Sequence, residues 1–378
     1  MERPRSSRLK QLDGLRGLAA LAVFLCHAAE MMINDPNTLP VWRPLRSLWD
    51  GQAAVVLFFV LSGFVLTLPY TGPRIKKVDA APFIVRRLTR LYPAYWTAIL
   101  LALFFHFVLY APQGLTGITP WLAALWSAPI SRRSLVKHFL LIAPGLHFMQ
   151  IDPSIWSLAV EVKVSLVFPA VLFLVRKTRR VPYALLILAA VFGLSFLGMM
   201  GNFEAFLCGS YLARYKDGIV AVLRSSRWLR AGMVILGYAA YGASWSMPFL
   251  NADGAQIVTA LGASVFIALF LSSRSLAALG AAPPVAFIGD ASYSFYLLHL
   301  PVMLTVTSWL YHPTGSLLVS VAASLVCSLA LSHGVYKFIE LPTQNWGRAR
   351  AQALDARIAA FLAQRRQAAP SGAQAKTE

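Results

Sequence analysis

Acidic residues are scarce in this sequence: Asp and Glu together number 15 among 378 residues, against 34 Lys and Arg. All charged residues amount to 13% of the chain, whereas hydrophobic residues amount to 58%. Soluble domains carry about 25% charged residues. The composition excludes a water-soluble globular enzyme, because a soluble core of this size cannot bury so many apolar side chains. The sequence therefore predicts a polytopic membrane protein.

Cysteine is rare as well. Cys26, Cys208 and Cys327 are the three in the chain, and each lies within an apolar run. This pattern excludes a secreted scaffold held together by disulfides. His, Cys, Asp and Glu do not recur with the spacing of a metal site, so no metal ion is predicted.

Long apolar runs are abundant. Ten runs, most of roughly twenty residues, the length at which a helix crosses a bilayer, follow one another with short polar breaks. They span residues 15–33, 53–70, 91–110, 155–175, 182–200, 203–215, 231–249, 256–271, 292–310 and 316–338. We predict an all-α transmembrane domain of about ten helices over residues 1–346. A cytoplasmic tail, 347–378, is predicted to be helical over 349–367 and then disordered.

The net charge of +19 has two possible meanings. Basic residues are not gathered on one soluble segment, so nucleic acid is not predicted as a partner. Instead, 27 of the 34 basic residues fall in the termini and in every second loop, and five fall in the intervening loops. By the positive-inside rule both termini and the loop before Arg86 face the cytoplasm, while Trp121 and Asp152 face outward.

Arg16 and His27 are eleven positions apart in the first apolar run. At about 100° per residue both side chains project from one face of a helix, about 16 Å apart along its axis. An ionisable residue at membrane depth marks a functional site by default, and histidine exchanges a proton near neutral pH. A histidine satisfied by a neighbouring helix is the alternative.

Arg86, Arg87 and Arg90 cluster at the cytoplasmic start of the third run. Arg86 and Arg90 are one helical turn apart, so the guanidinium groups can converge at the membrane surface. Guanidinium groups match phosphate oxygens two at a time, which suits the phosphates of a soluble donor. Simple anchoring by the positive-inside rule is the alternative.

Trp156, Ser157 and Glu161 open the fourth run from the outer side. Ser157 and Glu161 are one turn apart, which puts the carboxylate roughly 8 to 10 Å into the helix. A lone carboxylate at that depth indicates function, with a structural ion pair as the alternative.

The ninth run opens with Tyr296 and His299, three residues apart on one helical face, and Pro301 is predicted to kink the helix just beyond them. His299 either lines the same cavity as His27 or bonds a carbonyl freed near the proline. In the second run the pair 62–63, Ser followed by Gly, predicts close helix packing.

Six segments of the chain together resemble one family. LDGLRGLAALAVFLCHA, FFVLSGF, RRLTRLYPAYW, WSLAVEV, SYSFYLLHLP and FIELP, in this order over roughly residues 11–346, resemble the acyltransferase 3 family of integral membrane O-acyltransferases. Family members have ten or so helices. They move an acyl group, often acetyl or succinyl, from cytoplasmic acyl-coenzyme A to a hydroxyl of a saccharide or another envelope molecule. The resemblance implies a multi-pass protein of the bacterial inner membrane.

The resemblance also implies roles for individual residues. The family's Arg-x10-His motif matches Arg16 and His27. Its basic motif matches Arg86, Arg87 and Arg90. Its Trp-Ser-Leu-x-x-Glu motif matches Trp156, Ser157 and Glu161. The first and last of these motifs imply that Arg16, His27 and Glu161 are catalytic, and the basic motif implies that the three arginines bind acyl-coenzyme A. His27 is then a general base or an acyl carrier, and Glu161 orients His27 or the acceptor hydroxyl. The substrate path is expected to include Trp156, Ser157, Tyr296 and His299.

A secondary transporter of a small polar solute is the alternative function, with Arg16, His27 and Glu161 lining its pathway. Transporters of this kind usually show internal repeats with paired broken helices. We find no such repeat in the sequence, which favours the enzyme.

Overall fold

A computed structural model describes residues 9–33, 40–71, 78–115, 118–141, 148–178, 180–196 and 201–368. These residues contain no β-strand and form sixteen α-helices, which confirms the all-α prediction. In chain order they are α1 (Lys10–Met32), α2 (Gly51–Thr67), α3 (Ala80–Phe104), α4 (Pro120–Ala124), α5 (Arg132–Leu140), α6 (Ile155–Lys177), α7 (Val181–Phe196), α8 (Phe203–Ser225), α9 (Arg227–Tyr241), α10 (Ala243–Ser246), α11 (Ala252–Ser272), α12 (Arg274–Ala281), α13 (Pro283–Asp290), α14 (Ser292–Thr314), α15 (Leu317–Val335) and α16 (Leu341–Ala368).

Each of the ten predicted apolar runs coincides with one of these helices. Six described stretches are long and apolar enough to cross a membrane, namely Lys10–Met32, Gly51–Tyr70, Ala80–Leu109, Ile155–Lys177, Ala252–Ser272 and Leu317–Leu362. The other runs correspond to α7, α8, α9 and α14, which are shorter or less apolar. The protein is therefore a multi-pass membrane protein, while the count of ten crossings and the cytoplasmic termini stay predictions.

The first helix is surrounded by other helices. α1 contacts α2, α12, α13 and α14. Two glycines of α1 permit this, because a Cβ at Gly14 would overlap the backbone of Gly280, and a Cβ at Gly17 would overlap the backbone of Gly289. Small residues drive helix association in lipid by letting the backbones approach closely. This packing fixes the orientation of the helix that carries the first predicted site pair.

The second helix packs against α8 in the same way. A Cβ at Gly63 would overlap the carbonyl group of Phe206, and one at Gly209 would overlap the carbonyl group of Val60. The close packing predicted for residues 62–63 is therefore confirmed for the glycine.

Serine takes the place of glycine on α15, which packs along α14. Every fourth residue of one face of α15 is a fully buried serine, namely Ser320, Ser324, Ser328 and Ser332. Such small side chains let two helices approach closely without leaving a void.

The chain continues from α15 through a wider π turn, Tyr336–Glu340, into α16. α16 packs on α3: a Cβ at Gly347 would overlap Thr89, and the Arg86 guanidinium lies 3.5 Å from the carboxylate of Asp355. The helix predicted over 349–367 is thus the later part of a longer helix that crosses the predicted domain boundary after residue 346 without a break. The last part of the predicted tail, 369–378, lies outside the described residues.

Candidate active site

A cavity of about 840 Å³ lies near the first turns of α1 and α3, with walls from α1, α2, α3, α6, α13, α14 and α16. Five arginines line it: Arg16, Arg86, Arg87, Arg90 and Arg348. The structure thus unites the predicted basic cluster with Arg16 from a different helix. It adds Arg348, which belongs to the segment predicted to be a tail. Four carboxylates share the wall, from Asp13, Glu161, Asp290 and Glu340.

Neighbouring groups hold two of these arginines in place. The Arg16 guanidinium lies 3.7 Å from the carboxylate of Asp13. Arg86 donates to the hydroxyl of Tyr70 at 3.3 Å and lies 3.5 Å from the carboxylate of Asp355 on α16. Because a guanidinium group carries five N–H donors, each of these side chains keeps donors for a ligand.

Glu161 and Arg87 form an ion pair. Glu161 Oε1 accepts from Arg87 Nη2 at 2.5 Å and from Ser62 Oγ at 3.1 Å, while Arg87 Nε donates to Ser165 Oγ at 3.1 Å. The ion pair considered as the alternative for Glu161 is therefore present. Since its carboxylate is bound to Arg87, the geometry does not support the suggestion that Glu161 orients His27.

Ser157 and Tyr296 meet at the wall of the same cavity. Their hydroxyl oxygens are 2.8 Å apart, and Tyr296 also donates to the carbonyl of Ser154 at 3.1 Å. Trp156 instead packs edge-on against Phe59 of α2, with ring centroids 6.2 Å apart. The structure thus brings the serine and the tyrosine together and turns the tryptophan towards a neighbouring helix.

His27 lies further along α1, in a group of stacked rings. Its imidazole is nearly parallel to the indole of Trp121, at 5.3 Å between centroids and 10°, and to the imidazole of His299, at 5.4 Å and 18°. Trp121 belongs to α4, which contacts α1. Residues from α1, α4 and α14 therefore form one cluster.

A carboxylate that the sequence analysis missed completes this cluster. His27 Nδ1 lies 2.8 Å from Oε2 of Glu30, one helical turn away. The hydroxyl of Thr119 donates to the backbone carbonyl of Glu30 at 3.0 Å and connects the start of α4 to the end of α1. The signal was present in the sequence, as an acidic residue three positions after a histidine in the same apolar run.

His299 is fully buried, with 1% of its surface exposed. Its Nδ1 lies 2.7 Å from the carbonyl oxygen of Tyr296, and since a carbonyl only accepts, Nδ1 carries the hydrogen. Among the described residues its Nε2 has no hydrogen-bond partner. His299 therefore stacks on His27 and bonds the carbonyl of Tyr296. The carbonyl that loses its helical donor to Pro301 is that of Leu297, four residues before the proline.

Asp152 lies in the loop that leads into α6 and is buried. It accepts hydrogen bonds from the hydroxyl and the backbone N–H of Ser154, at 2.7 and 2.9 Å. Burial raises the pKa of Asp152 to about 6, and these hydrogen bonds together with nearby His27 oppose the shift only in part.

Tyr296 stands between the cavity and the stacked rings. It lines the cavity, and its ring centroid lies 5.9 Å from that of His299. His27 does not contribute to the cavity wall in the described part of the chain. Arg16 and His27 share a face of α1 as predicted, but they belong to two neighbouring sites about 16 Å apart along the helix.

Metal-binding groups and disulfides were also sought among the described residues of the site and its surroundings. Within the described ranges no group of three or more His, Cys, Asp or Glu residues could hold a metal ion. The cysteines at positions 26, 208 and 327 are free thiols. The groups that require an explanation are the arginines, the carboxylates and the histidines.

Comparisons with known proteins identify the family of the chain. The sequence model of the family described as "Acyltransferase domain", acyltransferase 3, matches residues 9–333. The chain is 32% identical over 334 residues to acyltransferase MdmB of Streptomyces mycarofaciens, covering 79% of this chain and 80% of that protein. No solved structure matches the chain.

Two further relatives are O-acetyltransferases. OatA of Staphylococcus aureus is 26% identical over 374 residues, covering 90% of this chain and 58% of that protein. The peptidoglycan O-acetyltransferase OatA of Listeria monocytogenes is 24% identical over 368 residues, covering 89% of this chain and 56% of that protein. The chain thus spans little more than half the length of these two relatives.

The family match covers most of the chain and includes both neighbouring sites, although Glu340 and Arg348 lie beyond it. The relatives are named as enzymes that transfer acyl groups, which favours an enzyme over a transporter. The chain belongs to the acyltransferase 3 family and is an acyl-transferring membrane enzyme.

Proposed function

We propose that this protein moves an acyl group, acetyl or similar, from cytoplasmic acyl-coenzyme A to a hydroxyl group of an envelope or exported saccharide. One observation carries the proposal: α1 joins a cavity lined by five arginines to a histidine bonded to a carboxylate. The first site suits an anionic donor, and the second suits a reaction that requires a proton acceptor. The names of the two OatA relatives favour acetyl as the group transferred.

The donor is assigned to the cavity on charge and shape. Acyl-coenzyme A carries its phosphates at one end and its thioester at the other. Arg86, Arg87, Arg90 and Arg16 bind the phosphates through charge-assisted hydrogen bonds, which are about twice as strong as neutral ones. The thioester then extends along α1 towards His27, past Ser157 and Tyr296.

His27 performs the chemistry in one of two ways. As a general base, its free ring nitrogen takes the proton of the acceptor hydroxyl, whose oxygen attacks the thioester carbonyl carbon. The carbon–sulfur bond breaks, and the thiolate of coenzyme A takes the proton from His27. As an acyl carrier, the same nitrogen attacks the thioester carbonyl first, and the carbon–sulfur bond breaks. The departing thiolate takes up the proton that the acyl-imidazolium loses. The acyl-imidazole then acylates the hydroxyl, whose proton returns to the imidazole. Both routes yield one ester and one free thiol.

The relatives and the loop charges support the proposed acceptor and location. The relative from Listeria monocytogenes is named for peptidoglycan, a polymer whose saccharide units carry hydroxyl groups. We place the protein in the bacterial inner membrane, with the arginine cavity open to the cytoplasm and Trp121 near the outer surface. Labelling of single introduced cysteines from outside should then mark a position beside Trp121 and spare the loop 74–82. The reverse pattern would contradict this orientation.

Purified protein incubated with radiolabelled acetyl-coenzyme A tests the activity itself. We expect release of free coenzyme A thiol with transfer of the label to water or to a saccharide. Uptake of intact donor into vesicles without thioester cleavage would favour transport instead. Comparing the envelope glycans of a deletion strain with those of its parent would then identify the acceptor by the ester that disappears.

A further inference from the structure

We infer that Glu30 is a positioning residue that fixes the tautomer and orientation of His27. This inference rests on the proposed function, because it concerns how His27 takes up a proton or an acyl group. It assigns a role to a residue outside the three motifs on which the family resemblance depends.

The hydrogen bond between the two side chains determines which nitrogen of His27 is available. An ionised carboxylate only accepts hydrogen bonds, so the hydrogen of the neutral imidazole resides on Nδ1, 2.8 Å from Glu30 Oε2. The lone pair is then on Nε2. A histidine without this partner would divide its population between two tautomers, and one of them carries a hydrogen where the base must be free.

The Glu30 side chain is partly open to solvent and is held in place by its neighbours. The side chain of Glu30 is 34% exposed, so water can solvate the oxygen that does not face His27. Its backbone is held as well, because Thr119 donates to its carbonyl. The Cys26 thiol approaches Oε1 only at 3.8 Å, which leaves His27 as its short side-chain contact.

The stacked rings supply the remaining constraint on His27. The indole of Trp121 and the imidazole of His299 both lie nearly parallel to its ring, at 10° and 18°. Stacking fixes the plane of the imidazole but leaves it free to flip within that plane. The bond to Glu30 removes this freedom, so Nε2 points in one direction. Holding a reacting group in one orientation is a large source of rate enhancement.

His27 and Glu30 then have different roles during transfer. Nε2 accepts the proton of the hydroxyl, and the resulting imidazolium is stabilised by the Glu30 carboxylate, which remains ionised. Nε2 then returns the proton to the departing thiolate, and both residues end as they began. The carboxylate of the serine protease triad acts on its histidine in this manner.

The test compares Glu30→Gln with Glu30→Asp, using thiol release from acetyl-coenzyme A with water as the acceptor. Glutamine keeps the size of the side chain but loses its charge and can donate to Nδ1, which favours the wrong tautomer. We expect kcat to fall about 10²-fold or more in Glu30→Gln, with KM for acetyl-coenzyme A unchanged. Aspartate restores the charge, and we expect it to recover kcat to within about tenfold of wild type.

A second comparison separates positioning from a structural role. If Glu30 acts through His27, adding Glu30→Gln to His27→Ala produces no further loss of thiol release, whereas two independent losses would multiply. Glu204→Gln is the matched control. Glu204 is a buried carboxylate that accepts from Ser195 and Gln256 on other helices, and its variant should keep the wild-type kcat.

The outcomes distinguish this inference from the function on which it rests. Wild-type protein without thiol release would overturn both. Active wild type with an inactive His27→Ala variant supports the proposed function, and a wild-type kcat in Glu30→Gln would then overturn the inference alone. So would an aspartate variant as impaired as the glutamine one, or a further loss in the double variant.

Discussion

The two sites on α1, the arginine cavity and the histidine cluster, differ in the number of their charged groups and in how their side chains are arranged. The arginine cavity holds five cations and four carboxylates around about 840 Å³ of open space, and its walls include polar groups from seven α-helices. The histidine cluster is a stack of rings, in which one carboxylate contacts His27 and the Nε2 of His299 is buried without a described partner. The arginine cavity combines many charges with an open volume, whereas the histidine cluster has few charges and consists mainly of stacked rings.

This contrast matches what each site is proposed to do. Binding a donor with several phosphates calls for many fixed donors that water can also reach, since charges buried without partners are costly. Proton transfer calls for a neutral imidazole in one tautomer and one orientation. The contrast makes separate predictions: changes near His27 should act on kcat, and changes in the cavity should act on donor affinity.

The largest effect is expected at His27. His27→Ala should lower thiol release roughly 10³-fold, because it removes the proton or acyl acceptor while changing little packing volume. KM for acetyl-coenzyme A should stay near the wild-type value. His312→Ala, at an exposed position on α14, is the control and should retain activity. Near-normal turnover of the His27 variant would leave this residue with a structural role.

Glu161→Gln should impair both stability and activity. It leaves the Arg87 guanidinium, 8% exposed in its side chain, without its ionised partner. Breaking a buried pair in this way should lower the free energy of unfolding by about 3 kcal/mol, measured by thermal unfolding in detergent. The double variant Glu161→Gln/Arg87→Met should recover much of this stability but not the affinity for acetyl-coenzyme A. Full activity of the double variant would remove the pair from the donor site.

The raised pKa of Asp152, which lies near His27, predicts that the stability of the protein depends on pH. Its folded pKa of about 6 exceeds its ordinary value of 3.8, so the folded state binds the proton more tightly than the unfolded state. The protein should therefore become more stable as the pH falls from 7 to 4, by on the order of 3 kcal/mol from this group. Asp152→Asn should flatten that part of the profile of melting temperature against pH. An unchanged profile would show that Asp152 does not titrate in this range.

Lysine substitutions test the cavity. Changing Arg86, Arg87 and Arg90 to lysine keeps the charge but loses the paired hydrogen bonds, so KM for acetyl-coenzyme A should rise about tenfold with kcat retained. Acetyl-pantetheine, which lacks the nucleotide phosphates, should be used almost equally well by the variants and the wild type. The exposed Arg274 gives the control variant Arg274→Lys. Unchanged KM values would mean that the cluster only anchors the protein in the membrane.

The smallest effect is expected at Arg348, at the edge of the cavity. Arg348→Ala should raise KM for acetyl-coenzyme A a few-fold, because it removes one of five cations from the wall. Arg350 is the matched control, since it lies two residues away on α16 and stacks over Trp346 at 5.4 Å. Equal effects of Arg350→Ala and Arg348→Ala would point to a general loss of charge rather than a donor contact.

The sequence allowed much of the cavity to be predicted. Hydrophobic periodicity marks the helices, and the spacing within Arg86–Arg90 indicates a convergent cation cluster whatever the tertiary fold. The location of Arg348 could not be predicted. Its segment is polar and repetitive, and only the continuous passage from α15 into α16 brings it back to α3.

The partners of the ionisable groups were less predictable. Glu161 was expected to orient His27 or the acceptor hydroxyl, and the sequence did not indicate that the helices place Arg87 and Ser62 beside it. Glu30 was overlooked, although it is only three residues from His27. A spacing on one helix shows which side chains share a face, but it does not show which face of which neighbour they meet.

The amino-acid sequence by itself determined that this protein crosses the membrane repeatedly, that Arg16 and His27 share one face of a helix, and that it resembles a family of acyltransferases. These properties follow from composition, helical periodicity and motif order, which are local in the chain. Only the tertiary structure decided that Arg87 pairs with Glu161, that Trp121 and His299 stack on His27, and that α16 completes the cavity. Those contacts join residues far apart in sequence, and they depend on how glycine and serine faces let the helices pack.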